Sequence, residues 1–219
     1  MNRLFVVTVI TAMITACASS SPSLEKTNSG FLTQRYYDQL AQIKTTDDQI
    51  VYRYVSPSFD ASKYKKAIVE PVIAYPEPQP TEQVSKETLE TLERELTRLL
   101  GDSLSEVLAL TGTPGPDVLR LELAITGINI SDKPLEGYQY IPIALIATEA
   151  SGRAQQVQLF LEGRVTDSVT KEVQAVSTRE LTGEDLKNAK SKLEAKQLNQ
   201  GMEAAAKDWL ATFKSLFDK

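Results

Sequence analysis

The chain of 219 residues carries 24 basic and 29 acidic side chains, a formal charge of −5, and 42% hydrophobic residues. Length and hydrophobic share suffice for one domain with a real core, while the acidic balance makes the chain a poor candidate for nucleic acid, whose affinity rests on neutralising phosphates with Lys and Arg. With no histidine and a single cysteine, Cys-His and Ser-His-Asp catalysis, histidine-based zinc sites and internal disulfides are excluded as well.

The chain opens on a short cationic start with Arg3, continues through an apolar run from Leu4 to Ile14, and ends this passage in Thr15, Ala16 and Cys17. That is the order of a cleavable export signal. The run is far shorter than the ~20 apolar residues of a bilayer-spanning helix. Ile14-Thr15-Ala16-Cys17 resembles the lipobox, in which an aliphatic and small residues precede a cysteine whose thiol receives diacylglycerol. Here Ile14 replaces the usual Leu and Thr15 the usual Ala or Ser. Residues 1–16 are therefore expected to be a lipoprotein signal and Cys17 the lipidated first residue of the mature chain. With ~0.8 kcal/mol for each buried methylene, two or three chains on one residue hold a protein at a membrane almost permanently. Ala18 and Ser19 follow the cysteine where an Asp would retain the protein at the inner membrane, which implies the periplasmic face of the outer membrane. Residues 17–29, rich in Ser, read as a flexible tether of roughly 40 Å at full stretch, and 30–219 as the periplasmic domain.

Within the domain, Ile50 to Val55 alternates as a strand. Ala67 to Tyr75 is a second β-branched run, with Pro71 marking an edge or bulge, and Tyr75 to Pro80 is loop. Leu89, Leu92, Leu96, Leu99, Leu100, Leu104, Val107 and Leu108 recur at helical spacing, with Ser85 as N-cap, Val84 as staple and Gly101-Asp102 as a kink point. Thr111 to Pro116 stops this helix. Val118 to Ile130 makes a long strand bulged at Gly127. Gln156–Thr166 and Val173–Arg179 form a hairpin about Asp167–Glu172. From Leu186 through Leu193, Leu198, Met202 and Trp209 to Leu216 the pattern is helical, with Gly201 able to divide it. These elements predict an α+β (α/β) domain: a single two-layer sandwich with a mixed sheet of about five strands covered by two long helices. The second strand, the long helix and the third strand would form a βαβ crossover if the strands are parallel; strand order is not readable.

Five segments, Ser29-Gly30-Phe31-Leu32, Tyr52 with Val55-Ser56-Pro57, Tyr64 to Val72, Gly115 to Leu121 and Asp167 to Val173, together resemble the lipoproteins of domain of unknown function 3313. The resemblance runs from about Gly30 to Phe217. The family's hairpin usually has Gly after the Thr, where this chain has Lys171. The resemblance implies an envelope location and a fold but no established activity, so no catalytic or binding residues are carried across.

Neither GxGxxG nor a P-loop occurs, and no cofactor is implied. Ser-x-x-Lys occurs at Ser62/Lys65, Ser23/Lys26 and Ser168/Lys171, without a Lys-Thr-Gly partner, as chance would place it. Glu70, Glu122 and Glu162 are the carboxylates that would pair as acid and base in a cell-wall (peptidoglycan) enzyme, although each sits singly among strand residues. Tyr52/Tyr54 and Tyr138/Tyr140 each share a strand face and would form a stacking platform or ordinary half-buried packing. Lys187, Lys190, Lys192 and Lys196 read as a solvated helix face, with anionic lipid headgroups as the alternative. Tyr138 to Ala147 is the most apolar stretch of the mature chain. Ile141, Ile143, Leu145 and Ile146 either fill the core, the simpler reading because contiguous exposed apolar patches are uncommon, or form a patch for an envelope protein partner. The overall expectation is a non-catalytic binding or scaffolding domain, held to the membrane by the lipid on Cys17, with no metal and no nucleic-acid partner.

Overall fold

The computed structural model describes residues 28–45, 49–132 and 153–217. Its elements in order are α1 (Gln34–Tyr37), β1 (Ala41–Lys44), β2 (Ile50–Val55), a 3₁₀ turn (Ala61–Lys63), β3 (Lys66–Val69), β4 (Ile73–Ala74), α2 (Lys86–Ser105), β5 (Ala109–Leu110), β6 (Val118–Ser131), β7 (Gln156–Asp167), β8 (Val173–Thr182), a second 3₁₀ turn (Ala195–Leu198) and α3 (Asn199–Phe217). One mixed sheet of eight strands runs β1-β2-β8-β7-β6-β3-β5, with β4 also alongside β6. β3 and β4 lie parallel to β6, and β6, β7, β8, β2 and β1 are antiparallel in succession.

The sheet is thus larger than the five strands expected, for three reasons. Pro71 lacks an N–H and divides the second run, which the backbone bonds Glu70 N to Leu121 O and Tyr75 N to Ile125 O, both 2.9 Å, hold beside β6 on either side of the gap. β1 has no inward residue, all four of its side chains being exposed, so it leaves no alternation to read. β5 is only two residues long, too short to be periodic.

α2 begins where the sequence places it: the Ser85 side chain accepts a hydrogen bond from Thr88 N at 3.1 Å, and Val84 is buried with Leu89. The helix runs unbroken through Gly101, and Leu89, Leu92, Leu96, Leu100 and Leu104 form its buried stripe. β6 carries its register shift between Ile125 and Gly127, so the bulge adds Thr126 and restores the inward set Ile128 and Ile130. That set joins Leu119, Leu121 and Leu123 of β6, Val157, Leu159 and Leu161 of β7, and the α2 and α3 stripes in one core.

The C-terminal helix starts later than its apolar spacing predicts. Residues 183–194 are irregular, with Leu186 bridged to Gln155 and the Leu193 amide donating to Gln83 O at 2.8 Å. These leucines are buried by loop packing, which imitates helical spacing over so short a distance. Gly201 lies inside α3 and does not divide it. A Cβ there would sit 2.9 Å from Thr182 O, so the glycine lets α3 press directly on the end of β8.

Candidate functional site

Both long helices pack on one face of the sheet, and the strand register turns a set of polar side chains to the other. Across β6, β7 and β8, Glu122 stands opposite Arg164, and Glu162 stands between Ala124 and Thr178. Glu122 and Glu162 are therefore diagonal neighbours on one face. Arg164 grips Glu122 in a bidentate pair of 2.7 and 2.8 Å. That hydrogen bonding holds the Glu122 carboxyl below its ordinary range, against the opposing effect of its partial burial. At the adjacent edge Arg120 pairs with Glu70. Glu162 is completely buried, and the Tyr37 hydroxyl donates to its Oε2 at 2.6 Å. Burial, then the Glu162 bond, pushes the Tyr37 hydroxyl far above the ordinary phenol range.

The first described residues form a clasp over this face. Phe31 and Leu32 bury against Ala124 and Val176. The Arg164 guanidinium lies over the Phe31 ring at 5.1 Å, and the Phe31 ring meets Tyr75 edge-on at 5.9 Å. Gly30 makes the entry with φ +84, a conformation side chains rarely adopt. Ser29 Oγ accepts from Phe31 N at 3.0 Å and lies 3.2 Å from the Tyr37 hydroxyl. Tyr36 packs on Tyr54 with ring centroids 5.9 Å apart, so the Tyr52/Tyr54 face lies partly beneath the clasp. Beyond it, Asn129 donates to Gln158 at 2.7 Å, and Gln158 donates to Glu180, whose carboxyl burial raises above its ordinary range. The Thr178 hydroxyl, buried beside Glu162, has no hydrogen-bond partner among the described residues.

The helix-facing side holds a buried charge cluster. Asp208 of α3 accepts from Arg179 at 3.1 Å and from Arg53 at 3.3 Å, with Arg179 5% and Asp208 9% exposed. Arg53 also donates to Thr212 Oγ1 at 3.1 Å.

The residues singled out from sequence are distributed accordingly. Glu70, Glu122 and Glu162 share the clasped face, each engaged by Arg120, Arg164 or Tyr37. Ser62 Oγ donates to Asp60 Oδ1 at 2.6 Å in the first 3₁₀ turn, and Ser168 Oγ exchanges 3.0 Å bonds with the Gly115 backbone. Both serines are local braces. Lys187, Lys190 and Lys192 lie in the irregular stretch and Lys196 in the second 3₁₀ turn, where it pairs with Glu194 at 2.6 Å; the expected helix face is not there. Ile14, Thr15, Ala16, Cys17, Tyr138, Tyr140, Ile141, Ile143, Leu145 and Ile146 lie outside the described residues. Sequence reasoning missed Tyr37, which no periodicity marks. It also missed Arg53 and Arg179, although each has the same strand parity as inward residues, Val51 and Leu181.

These features define a class: an α+β domain with one mixed sheet, two long helices on one face and an N-terminal clasp on the other. The family described as protein of unknown function (DUF3313) matches residues 27–209, and the chain belongs to it. The chain is similar to the uncharacterized lipoprotein YdcL of Escherichia coli K12, at 30% identity over 209 residues, 94% of this chain and 90% of that protein. The same figures hold for the O157:H7 protein. Among solved structures it resembles a DUF4136 family protein from Bacteroides thetaiotaomicron (9% identity, TM-score 0.41, 78% and 98% of the two chains). It also resembles PelC from Paraburkholderia phytofirmans, solved as a dodecamer (12% identity, TM-score 0.34, 76% and 96%).

Proposed function

We propose that the chain is an envelope lipoprotein, exported by residues 1–16, acylated on Cys17 and held at the periplasmic face of the outer membrane. Its domain binds or scaffolds an envelope partner and is not an enzyme. The lipobox and the lipoprotein relatives support the anchor. The observation that carries the reading of the domain is the clasp. The segment directly following the tether is stapled to the sheet by Phe31, Leu32 and the Tyr37–Glu162 bond. A pull on the anchor is thereby delivered into the core and not to a frayed end.

The runner-up, a cell-wall enzyme with paired carboxylates, finds less support. An acid–base pair needs one protonated carboxyl beside one free carboxylate, whereas Glu70 and Glu122 are bound to arginines and Glu162 lies beneath the clasp. Two assays test the reading. Labelled palmitate should enter the wild type and not Cys17→Ser, and purified wall should release no soluble fragments when incubated with the protein. Palmitate in the Cys17→Ser variant contradicts the anchor. Wall digestion that disappears in Glu162→Gln contradicts the non-catalytic reading.

A further inference from the structure

Beneath the second half of α3 the sheet carries small residues. Two cross-strand rows face that helix, Leu123–Gly163–Ser177–Arg53 and Leu121–Val165–Ala175–Val55. The neighbouring pair Ile125 and Leu161 fills its row with branched side chains, whereas these rows hold Gly163, Ser177 and Ala175 near their centres. Trp209, Phe213 and Leu216, at the spacing of one helix stripe, form the roof, and the space between is a cavity of about 90 Å³. Protein interiors are normally close-packed, so a cavity of this kind is a standing cost to the fold.

The cavity is apolar except at one corner, where Arg53 and Ser177 stand opposite each other on β2 and β8 and Thr212 of α3 meets them. Arg53 Nη1 donates to Thr212 Oγ1 at 3.1 Å and Nη2 to Asp208 at 3.3 Å. Its Nε–H and the second hydrogen on each Nη have no partner among the described residues. Ser177 Oγ has none there either, and the Thr212 hydroxyl, an acceptor in its bond from Arg53, keeps its own hydrogen to give. The corner is therefore made of donors. No carboxylate faces it from inside the cavity. Asp208 stands outside the lining and divides its charge between Arg53 and Arg179. Glu122 and Arg164 border the cavity but turn their side chains to the opposite face, where they pair with each other. Entry is at the sheet edge: β1 pairs with β2 no further than Arg53, so β2 is the edge strand at Val55, which lines the cavity and is 38% exposed.

We infer that this cavity is a binding site for a short-chain aliphatic carboxylate, with the carboxylate at Arg53, Ser177 and Thr212 and the hydrocarbon end beneath Trp209. A carboxylate only accepts hydrogen bonds, and so matches a corner made of donors; an amine would set donors against donors. Phosphate or a sugar would press polar groups on Leu121, Leu123 and Phe213, which cannot satisfy them. The volume limits the hydrocarbon to a few carbons, since a cavity that admits benzene measures roughly 150 Å³. The site lies on the opposite side of the sheet from the clasp, and it stands or falls independently of the anchor and of any envelope partner.

Trp209 is the only tryptophan in the chain, so its indole resonances report on the cavity directly. The complete mature chain, expressed without its signal so that Cys17 stays unacylated and kept reduced, is titrated with butyrate, butyramide and butylammonium at constant pH and ionic strength. Butyrate should bind saturably and show nuclear Overhauser contacts from its terminal methyl to the Trp209 ring. Butyramide should bind about tenfold more weakly, as a neutral acceptor does beside a charged one, and butylammonium should not bind. Ser177→Ala removes one donor without touching the Arg53–Asp208–Arg179 cluster and should weaken butyrate roughly three- to tenfold. Ala175→Leu fills the hydrocarbon end and should abolish the methyl contacts, and a melting temperature held or raised in either variant shows the fold intact. No saturable butyrate binding, equal binding of butyrate and butylammonium, or butyrate affinity undiminished in the folded Ser177→Ala or Ala175→Leu protein overturns the inference.

Discussion

Lys171 sits in the hairpin turn with φ 65, the left-handed region that a side chain enters at a cost of roughly 1–2 kcal/mol. The family resemblance implies Gly at this position, and the turn forms with Lys171 in its place. Asp167 Oδ1 accepts from Val169 N at 2.9 Å and Thr170 N at 2.8 Å, and Lys171 Nζ donates to Ser168 O at 2.5 Å. Lys171→Gly should raise stability by up to ~1 kcal/mol after the entropic cost of glycine, or about 2–4 °C in a thermal melt. An equal or lower melting temperature would show that the lysine's own bond outweighs the strain.

Two carboxylates on the clasped face predict opposite pH behaviour. Glu122 is depressed in the folded state by Arg164, so its contribution is full above its unfolded value and disappears as pH falls through the folded one. Glu122→Gln should lower stability at neutral pH and flatten the acid limb of the stability curve. Glu180 is raised by burial, so its ionisation opposes folding above the folded value, and this penalty vanishes below the unfolded one. Glu180→Gln should therefore stabilise at pH 7 and converge with the wild type near pH 4. Melts across pH that show parallel curves for either variant contradict these assignments.

The elements legible in the sequence are those with a long period and a clear stop. α2 has five buried leucines at helical spacing and a Ser85 cap; β6, β7 and β8 alternate over ten to fourteen residues. β1 and β5 were illegible because four exposed residues and a pair carry no period, and residues 183–194 because loop leucines imitate a helix. At the site, strand parity brings Glu122 and Glu162 to one face. Their restraint by the clasp was beyond local reading, since Tyr37 lies 125 positions from Glu162.

α3 is held to the sheet by charge as well as by its apolar stripe. Removing the Asp208 carboxylate takes from Arg53 and Arg179 the acceptor they share, and breaking a buried pair of this kind costs about 3–5 kcal/mol. Against a typical total of ~5–15 kcal/mol, Asp208→Asn should lower the denaturation midpoint severely while Asp102→Asn, on the exposed face of α2, changes little. Equal midpoints for the two variants would show that the Arg53–Asp208–Arg179 cluster carries no net stability.

For the molecule as a whole, the clasp joins the first described residues of the chain to the centre of the sheet. Phe31→Asp places a charge against Ala124 and Val176 and should release residues 28–40. Limited proteolysis should then cut within that segment while the α2–α3 core stays resistant; unchanged protection of the segment would show that Phe31 does not hold it. The proposed acylation of Cys17 is tested most directly by mass spectrometry of the N-terminal peptide from membrane-purified protein. The account predicts a peptide beginning at Cys17 and carrying diacylglycerol with or without a further acyl chain. A peptide that begins elsewhere, or begins at Cys17 with an unmodified thiol and amine, contradicts it.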